Sequence, residues 1–545
     1  MASFFKRTYV WVPVVTLLAL IAGLYIGAKF LHGFNNDSRL EKLGELIGII
    51  DENYVDEVNL DSILDASIPD LLAKLDPHSE YIPAADLKAV NEELDGSFSG
   101  VGISFNMLTD TITVVEVIPG GPSERAGILA GDRILTINDS VIDARVWSTD
   151  RVIKNLKGQK GTTVRLGIQR SSSPSLLTFE VVRGDVPMNS VDASYMLDGE
   201  TGYVKVNKFG RNTFSEFLTA MTKLRGMGAK KYVIDLRGNG GGYMDIAILM
   251  ANEFLPAGSP IVSTLGRVME QPMLSADGTG SFTEEELVVL IDEFSASASE
   301  IFSGAIQDND RGLIVGRRSF GKGLVQNQLS LSDSSAVRLT IARYYTPSGR
   351  CIQKTYTPGN KQGYGNEVVN RFVNGEAYNA DSIHLDKSQI FHTLSGRAVY
   401  GGGGIMPDVF IPNDTSGITS YYINVINAGL IQKYAFSYAD ANREQLHRAS
   451  TTDEVLSMLP SDDQMLQDFA YYARTQGIMP RWYYINISRS LIVDHIKALI
   501  ARDVLGMSAY YEVINRSDDV VKQALQELVD GNAVFPIRPS ATAQD

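Results

Sequence analysis

The chain has 545 residues, a net charge of −15 and a single cysteine, Cys351. This length is sufficient for about three or four domains with ample cores. An acidic balance without a basic stripe argues against nucleic acid as a partner, and one cysteine excludes an internal disulfide and a thiolate zinc cluster. No H-E-x-x-H motif is present, so we expect neither a metal nor an organic cofactor.

An uncharged apolar stretch runs from Tyr9 to Ala28, directly after Lys6 and Arg7. It is long enough to cross a bilayer, and its basic flank favours a cytoplasmic N-terminus. We therefore predict a cytoplasmic stub over residues 1–8 and a transmembrane signal anchor over residues 9–30. The rest of the chain is then expected in the periplasm of a bacterial cell envelope, held at the inner membrane. A cleaved signal peptide is the alternative, although small residues suited to cleavage are poorly placed.

Helical patterning is predicted over residues 36–90, and a β-rich domain over residues 91–185. A small-residue turn opens this domain and is followed by an alternating stretch from Thr111 to Val117. Such a turn leaves amides free for a terminal carboxylate, while a strand edge accepts an extended peptide. These motifs resemble a PDZ domain, and a β-rich domain without a ligand is the alternative. The peptide-binding residues that the resemblance implies are Gly100, Val101, Gly102, Ile103, Ser104 and Phe105.

A second glycine-rich turn follows a predicted buried strand at residues 231–235. Residues 238–242 read Gly-Asn-Gly-Gly-Gly, and an apolar helix is predicted from Met244 onward. Exposed amides in such a turn suit a phosphate or a developing oxyanion. Tyr243 occupies the last glycine position of G-x-G-x-x-G, which argues against a dinucleotide site. A purely structural turn is the alternative.

Three serines, Ser295, Ser297 and Ser299, compete for the role of a nucleophile. Only Ser297 stands three residues before a glutamate, Glu300, and just ahead of a helical pattern. This spacing predicts that Ser297 is the N-cap of a capping box. A hydroxyl at the mouth of a helix lies beside free amides and the positive end of the dipole, which suits an oxyanion. A purely capping role is the alternative.

Lys322 is the candidate base, because burial lowers the pKa of a lysine and lets the neutral amine take a proton from a serine. Residues 316–323 approach the phosphate-binding pattern G-x-x-x-x-G-K-[ST]. However, Gly323 has no hydroxyl for magnesium, and the following residues alternate like a strand, so a nucleotide site is the weaker hypothesis. Gln326 is predicted to lie on the same side as Lys322 and to hold its amine.

Four segments resemble, in their order along the chain, the carboxy-terminal processing, or tail-specific, serine peptidases. They are residues 235–242, 295–300, 319–326 and 345–350, and residues 75–83 resemble the start of that family's PDZ domain.

The resemblance implies Ser297 as nucleophile, Lys322 as general base and Gln326 as the residue that orients the lysine. It also implies an oxyanion hole. The amides implied for it are those of Ala298 and of Gly240 or Gly241.

The peptidase core is predicted over residues 186–413, with an insertion at about residues 354–401. The insertion is rich in polar residues, glycine and aromatics, and a flap, a docking surface and an elaborated loop are all open. Residues 414–545 are predicted to be helical with a disordered tail. His78 and His392 lie in loop-like contexts and are interpreted as surface or capping residues rather than bases.

The sequence therefore predicts a multidomain α+β protein. Its parts are an N-terminal transmembrane helix, a PDZ domain, an α/β serine peptidase core and a helical C-terminal region. The expected function is a serine endopeptidase that recognises free C-terminal tails of exported proteins and cleaves near them. A non-catalytic PDZ adaptor that binds such tails is the alternative from another class. We expect a membrane contact through the N-terminal helix; a homo-oligomer and an adaptor partner both stay open.

Overall fold

The computed structural model describes residues 38–107, 111–143, 146–170, 173–384 and 386–533. The predicted anchor over residues 9–30 and the last residues of the predicted tail lie outside the described residues. Within the described ranges, no helix is both long and apolar enough to cross a membrane. The described residues up to Lys74 form one compact unit, and those from Leu75 onward form a second.

The first unit is helical, as its pattern predicts. It contains α1 (Ser38–Asn53) and α2 (Leu60–Ala73). Asn59 is the N-cap of α2, since its side chain accepts a hydrogen bond from the Ser62 amide at 3.0 Å. This hydrogen bond satisfies one of the free amides at the start of the helix.

The second unit opens with β1 (Glu80–Ile82) and α3 (Ala84–Asp95) and continues into a β-rich domain. The elements of this domain are β2 (Ser97–Gly100), β3 (Ile103–Asn106), β4 (Ile112–Val117), α4 (Pro122–Ala126), β5 (Arg133–Ile137), β6 (Ser140–Val141), α5 (Thr149–Leu156), β7 (Thr163–Gln169), β8 (Leu177–Val182) and β9 (Gly184–Pro187).

An antiparallel sheet of this domain has the order β3-β4-β5-β7-β8, with β6 beside β5, while β2 pairs with β9. Helix α5 buries Val152 and Leu156 in the same apolar core as the sheet residues. Strand β3 is the first strand in this sheet order and therefore lies at a sheet edge. An added peptide strand pairs at such an edge in a PDZ domain.

The core that follows contains a second set of elements. They are β10 (Val191–Met196), β11 (Thr201–Val206), α6 (Thr213–Gly226), β12 (Lys231–Asp235), α7 (Met244–Asn252), β13 (Pro260–Leu265), β14 (Glu270–Ser275), β15 (Glu286–Ile291), α8 (Ala298–Asp308), β16 (Leu313–Gly316), β17 (Leu324–Ser330) and β18 (Ala336–Tyr345). The predicted strand at residues 231–235 and the predicted helix from Met244 are both present.

The central sheet has the order β10-β11-β12-β15-β16-β21, where β21 is Val409–Phe410. All neighbours except β10 and β11 are parallel. Strands β15 and β16 read as nearly continuous apolar runs because parallel strands are covered on both faces. Helices α6, α7 and α8 contribute side chains to the larger apolar cluster against this sheet. A second sheet has the order β1-β18-β13-β14, with β17 also paired to β18.

The predicted insertion is an ordered part of this fold. It contains α9 (Lys361–Val373), a short 3-10 helix (Ala380–Ser382) and the antiparallel hairpin of β19 (Ile390–His392) and β20 (Ala398–Tyr400). The chain then returns to the central sheet, where β21 pairs with β16.

The C-terminal region is helical, as predicted. Its helices are α10 (Ser420–Asn427), α11 (Leu430–Ala441), α12 (Arg443–Leu446), α13 (Thr452–Ser457), α14 (Asp462–Thr475), α15 (Trp482–Ile487), α16 (Arg489–Leu505), α17 (Met507–Ile514) and α18 (Asp519–Val529). Asp440 pairs with Arg133 of the β-rich domain at 2.9 Å, and Asp518 pairs with Arg237 of the core at 2.7 Å. This region therefore contacts both neighbouring domains.

Candidate active site

Three neighbouring strands bring three loops to one edge of the central sheet. Strands β12, β15 and β16 are parallel neighbours, so their carboxyl ends lie together. In open α/β sheets, sites form outside such carboxyl ends. The glycine turn follows β12, Ser297 follows β15 and Lys322 follows β16. The topology thus places next to one another three segments that are far apart in the sequence.

Ser297 begins α8 in a strained backbone conformation. Its φ is 56° and its ψ is −113°, a combination that costs a residue with a Cβ about 1–3 kcal/mol. The Ser297 amide donates to Glu300 Oε2 at 2.9 Å, which is one half of the predicted capping box. The Ser297 hydroxyl makes no capping hydrogen bond, and the Glu300 amide donates to the Ser297 carbonyl at 2.8 Å. The helix therefore leaves this hydroxyl available for another partner.

The structure separates the three candidate serines. Ser295 and Ser299 are fully buried, whereas Ser297 lines an open cavity. The Ser295 hydroxyl donates to the Leu236 carbonyl at 2.9 Å, and the Ser299 hydroxyl donates to the Asn239 carbonyl at 2.8 Å. Both side chains join the Ser297 loop to the glycine turn, so their hydroxyls have structural partners.

Lys322 lies in the loop between β16 and β17 and is held by two successive hydrogen bonds. Its Nζ donates to Gln326 Oε1 at 3.1 Å, and Gln326 Nε2 donates to the His78 carbonyl at 2.6 Å. The second bond fixes the amide of Gln326 so that its oxygen faces the lysine. Burial, with a further contribution from Arg338, lowers the pKa of Lys322 below its ordinary value.

Glu300 connects the loops of Ser297 and Lys322. Besides the Ser297 amide, its buried carboxylate accepts hydrogen bonds from the Ser319 hydroxyl, from the Gly321 amide at 2.7 Å and from the Lys322 amide at 2.8 Å. Burial raises the pKa of Glu300, and these donors oppose that shift. Since every partner is a donor, the arrangement suits an ionised carboxylate.

Tyr344 makes a second connection between the two loops. Its buried hydroxyl lies 3.1 Å from the Ser297 carbonyl oxygen and 2.6 Å from the Lys322 carbonyl oxygen. Strand β18 thus fixes the spacing of the two backbones from a third element, independently of Glu300.

The glycine turn approaches the start of α8 too closely for a side chain. A Cβ on Gly241 would lie 2.8 Å from Ser297 Cβ and 2.9 Å from the Ala298 nitrogen, and the φ of Gly241 is 102°. The Gly241 amide donates to Asn239 Oδ1 at 2.9 Å. In the described part of the chain, the amides of Gly240 and Ala298 have no such acceptor. Of the two glycines predicted from the sequence, Gly240 is therefore the one whose amide is available to a ligand.

Ser297, Lys322 and Gln326 line one cavity of about 910 Å³, together with Gly240 and Gly241. Tyr344 also borders this space, and Ala298, the residue after Ser297, is fully buried. The predicted peptide-binding residues are in another place. Gly100 ends β2, and residues 103–105 belong to β3, so none of the six lines this cavity.

His78 is interpreted from the sequence as a surface or capping residue, and the structure contradicts the surface position. Its ring is half-buried, Nε2 lies 2.9 Å from the Tyr364 hydroxyl, and its carbonyl holds Gln326. Burial and the nearby charge of Lys322 lower the pKa of His78 to about 4, so the ring is neutral at neutral pH. His392 is exposed, but it ends strand β19 and is not in a loop.

Sequence reasoning missed the roles of several residues in this site. Glu300 carried a signal, since the capping-box spacing singled it out, but that spacing indicates only its bond to Ser297. Nothing near Tyr344 or His78 in the sequence indicated their contacts, because their partners lie far along the chain. Among the described residues there is no cluster of three or more histidine, cysteine or acidic side chains that suits a metal ion.

Residues 200–361 match Peptidase family S41, residues 99–181 match the PDZ domain, and residues 421–506 match a family of unknown function, DUF8443.

A carboxy-terminal-processing protease of Bartonella bacilliformis is 32% identical over 412 residues, which cover 73% of this chain and 92% of that protein. A probable CtpA-like serine protease of Staphylococcus aureus is 32% identical over 62% of this chain and 68% of that protein. Among solved structures, a photosystem II D1 C-terminal processing protease matches with a TM-score of 0.34 and 26% identity, over 68% of this chain and 92% of that chain.

The two family matches define the class of this protein, which is a serine peptidase that carries a PDZ domain. The chain belongs to the carboxy-terminal-processing proteases of peptidase family S41, which confirms the resemblance found in the sequence. It is therefore a serine-type endopeptidase, and this membership favours the enzyme over the non-catalytic adaptor.

Proposed function

We propose that Ser297 is the nucleophile of this peptidase and that Lys322 is its general base. The observation that carries the proposal is that both residues line one cavity while Glu300 and Tyr344 join their backbones. Gln326 orients the lysine amine by accepting its hydrogen bond. Loss of peptide hydrolysis in Ser297→Ala and in Lys322→Arg tests this assignment.

The chemistry follows from the protonation state of the lysine. A neutral Lys322 amine takes the proton of the Ser297 hydroxyl while Ser297 Oγ attacks the scissile carbonyl. The resulting ammonium gives a proton to the leaving amine, and an acyl-enzyme forms on Ser297. The neutral amine then activates water, which releases the acyl group. Burial supports this cycle because it lowers the pKa of Lys322.

The oxyanion is proposed to bind the amides of Ala298 and Gly240. Ala298 is the first residue of α8, where the free amides and the dipole favour negative charge. Gly240 belongs to the glycine turn and lines the same cavity as Ser297, and its amide has no protein acceptor among the described residues. Gly241, the alternative from the sequence, serves as the close-packing position, since its amide is bound by Asn239.

We also propose that residues 100–105 bind the carboxy-terminal tail of the substrate. The carbonyls of Val101 and Gly102 accept hydrogen bonds from the Ser123 and Ile118 amides, at 2.8 and 3.0 Å. The amides of Val101 and Gly102 have no acceptor within the described ranges, which suits a terminal carboxylate. The adjacent edge of β3 suits the strand that precedes that carboxylate.

Amidation of a substrate's carboxy-terminus is expected to weaken binding by about tenfold or more, because charge-assisted hydrogen bonds to the carboxylate are lost. Binding is measured on the full chain carrying Ser297→Ala, so that no peptide is consumed, and cleavage is measured on the wild type. A matched control peptide keeps its free carboxylate and changes only internal residues. Equal binding and cleavage of the free and amidated peptides would remove the case for tail recognition.

We further propose that residues 9–30 anchor the enzyme in the inner membrane, with the catalytic part in the periplasm and exported proteins as substrates. The support is the apolar stretch after Lys6 and Arg7. In cell fractionation, the full chain is expected in the membrane fraction, and protease added to spheroplasts is expected to digest it. A chain that is released with the soluble periplasmic proteins would indicate the cleaved signal peptide instead.

A further inference from the structure

Helix α9 of the insertion contacts the loop that carries Lys322. The Arg371 side chain is only 4% exposed. Its Nη1 donates to the carbonyls of Arg318 and Ser319 at 3.3 and 2.7 Å, and its Nη2 donates to the Phe320 carbonyl at 3.0 Å. A single planar guanidinium therefore holds three successive carbonyls just before Lys322.

Tyr364 of the same helix reaches the lysine by another route. Its hydroxyl lies 2.9 Å from His78 Nε2, and the His78 and Tyr364 rings meet edge to face at 5.0 Å. The carbonyl of His78 fixes Gln326, whose Oε1 accepts from Lys322 Nζ. Helix α9 thus supports both the backbone of the lysine loop and the side chain that orients the amine.

Charged and polar contacts hold α9 itself in place. Glu367 pairs with Arg371 and with the buried Lys354, both at 2.8 Å. The side-chain amine of Lys354 lies 3.8 Å from the centre of the Phe320 ring. The backbone amide of Lys354 donates to the Gly321 carbonyl at 2.9 Å. On the far side of Lys322, the Gly323 amide donates to Gln353 Oε1 at 2.8 Å. The insertion and its leading segment thus hold the backbone on both sides of Lys322.

We infer that the insertion helix α9 keeps the catalytic lysine in position, with Tyr364 and Arg371 as positioning residues for peptide hydrolysis. The inference rests on the proposed role of Lys322 as base. Neither residue lines the active-site cavity, so their effect reaches the reaction only through the lysine loop and Gln326. For helix α9, the proposed role is a support of the lysine loop, which differs from the flap, the docking surface and the elaborated loop considered from the sequence.

The test compares isosteric or conservative variants of the full chain. Tyr364→Phe keeps the ring and removes only the hydroxyl, while Arg371→Lys keeps the charge and removes the planar fork. Both are expected to lower kcat by about tenfold with KM changed less than about twofold, because a misplaced base slows the chemical step without altering substrate contacts. Tyr378→Phe is the matched control within the same insertion, where the side chain is 41% exposed, and it is expected to keep wild-type kcat.

A double-mutant cycle separates positioning from simple stabilisation. If Tyr364 acts through Gln326, then Tyr364→Phe lowers kcat much less in a Gln326→Ala background than in the wild type. Full additivity, or wild-type kcat in both Tyr364→Phe and Arg371→Lys with only a lower Tm, would overturn the inference. Lys322→Ala keeps the two questions apart, because activity in that variant would refute the proposed base, whereas its inactivity beside fully active α9 variants would refute only the role of the insertion.

Discussion

Ser297→Ala is expected to lower kcat by about 10⁴-fold or more, because the hydroxyl that attacks the scissile carbonyl is lost. The fold is expected to survive, since the amide of residue 297 still donates to Glu300 and its carbonyl still accepts from Tyr344. Alanine retains a Cβ, so the strain at φ 56° also remains. Hydrolysis of a tail-bearing peptide, followed beside thermal unfolding, measures both quantities.

Ser297→Gly separates the loss of the hydroxyl from the backbone strain at this position. It is expected to be equally inactive but more stable than Ser297→Ala by about 1 kcal/mol, because glycine adopts positive φ without the steric cost of a Cβ. The neighbouring serines provide the controls. Ser295→Ala and Ser299→Ala lose hydrogen bonds to the Leu236 and Asn239 carbonyls and are expected to be less stable yet active. Wild-type turnover in Ser297→Ala would show that the nucleophile is elsewhere.

Lys322→Arg is expected to be inactive, with kcat lowered by about 10³-fold or more, because a guanidinium stays protonated at every usable pH. In the wild type, the base must be neutral, so activity is expected to rise with pH as Lys322 loses its proton. Burial lowers the pKa of Lys322, which moves this rise below the ordinary lysine value of about 10.4. The pH profile of kcat measures its midpoint.

The charged residues around Lys322 determine in which direction the pH profile of kcat shifts when one of them is replaced. Arg338 lowers the pKa of Lys322, whereas Glu80, Glu300 and Asp76 raise it. Arg338→Gln removes one cation and also frees Glu80, its partner at 2.9 Å, so both effects shift the acid limb of the profile to higher pH. Chelators are expected to leave activity unchanged. Activity that chelators abolish and zinc restores would contradict a lysine base.

The burial of Lys322 also predicts how a neutral side chain at this position changes the stability of the fold. Because the folded state disfavours the charged amine, the pKa of Lys322 is lower in the folded chain than in the unfolded chain. Protonation therefore costs stability below the unfolded pKa, and the cost vanishes above it. Lys322→Met is accordingly expected to be inactive but to have a higher Tm at neutral pH, with a gain that shrinks toward pH 10 and above.

The sequence by itself determined the class of protein and the parts that depend on local patterns. The capping box placed Ser297 at the start of α8, and the alternation after Lys322 predicted β17. The small residues of the glycine turn predicted exposed backbone, and the order of the four segments predicted the family. These signals were sufficient because N-caps, strand alternation and tight turns depend on residues only a few positions apart.

Only the tertiary structure decided how these parts are held together. Parallel pairing of β12, β15 and β16 puts three distant loops at one edge. Glu300 and Tyr344 then join the loops of Ser297 and Lys322, and His78 holds Gln326. The choice of Gly240 over Gly241 depends on one hydrogen bond, which the Gly241 amide donates to Asn239, and the role of the insertion depends on where α9 packs. No periodicity records such contacts, since their partners are brought together by strand order and packing rather than by spacing along the chain.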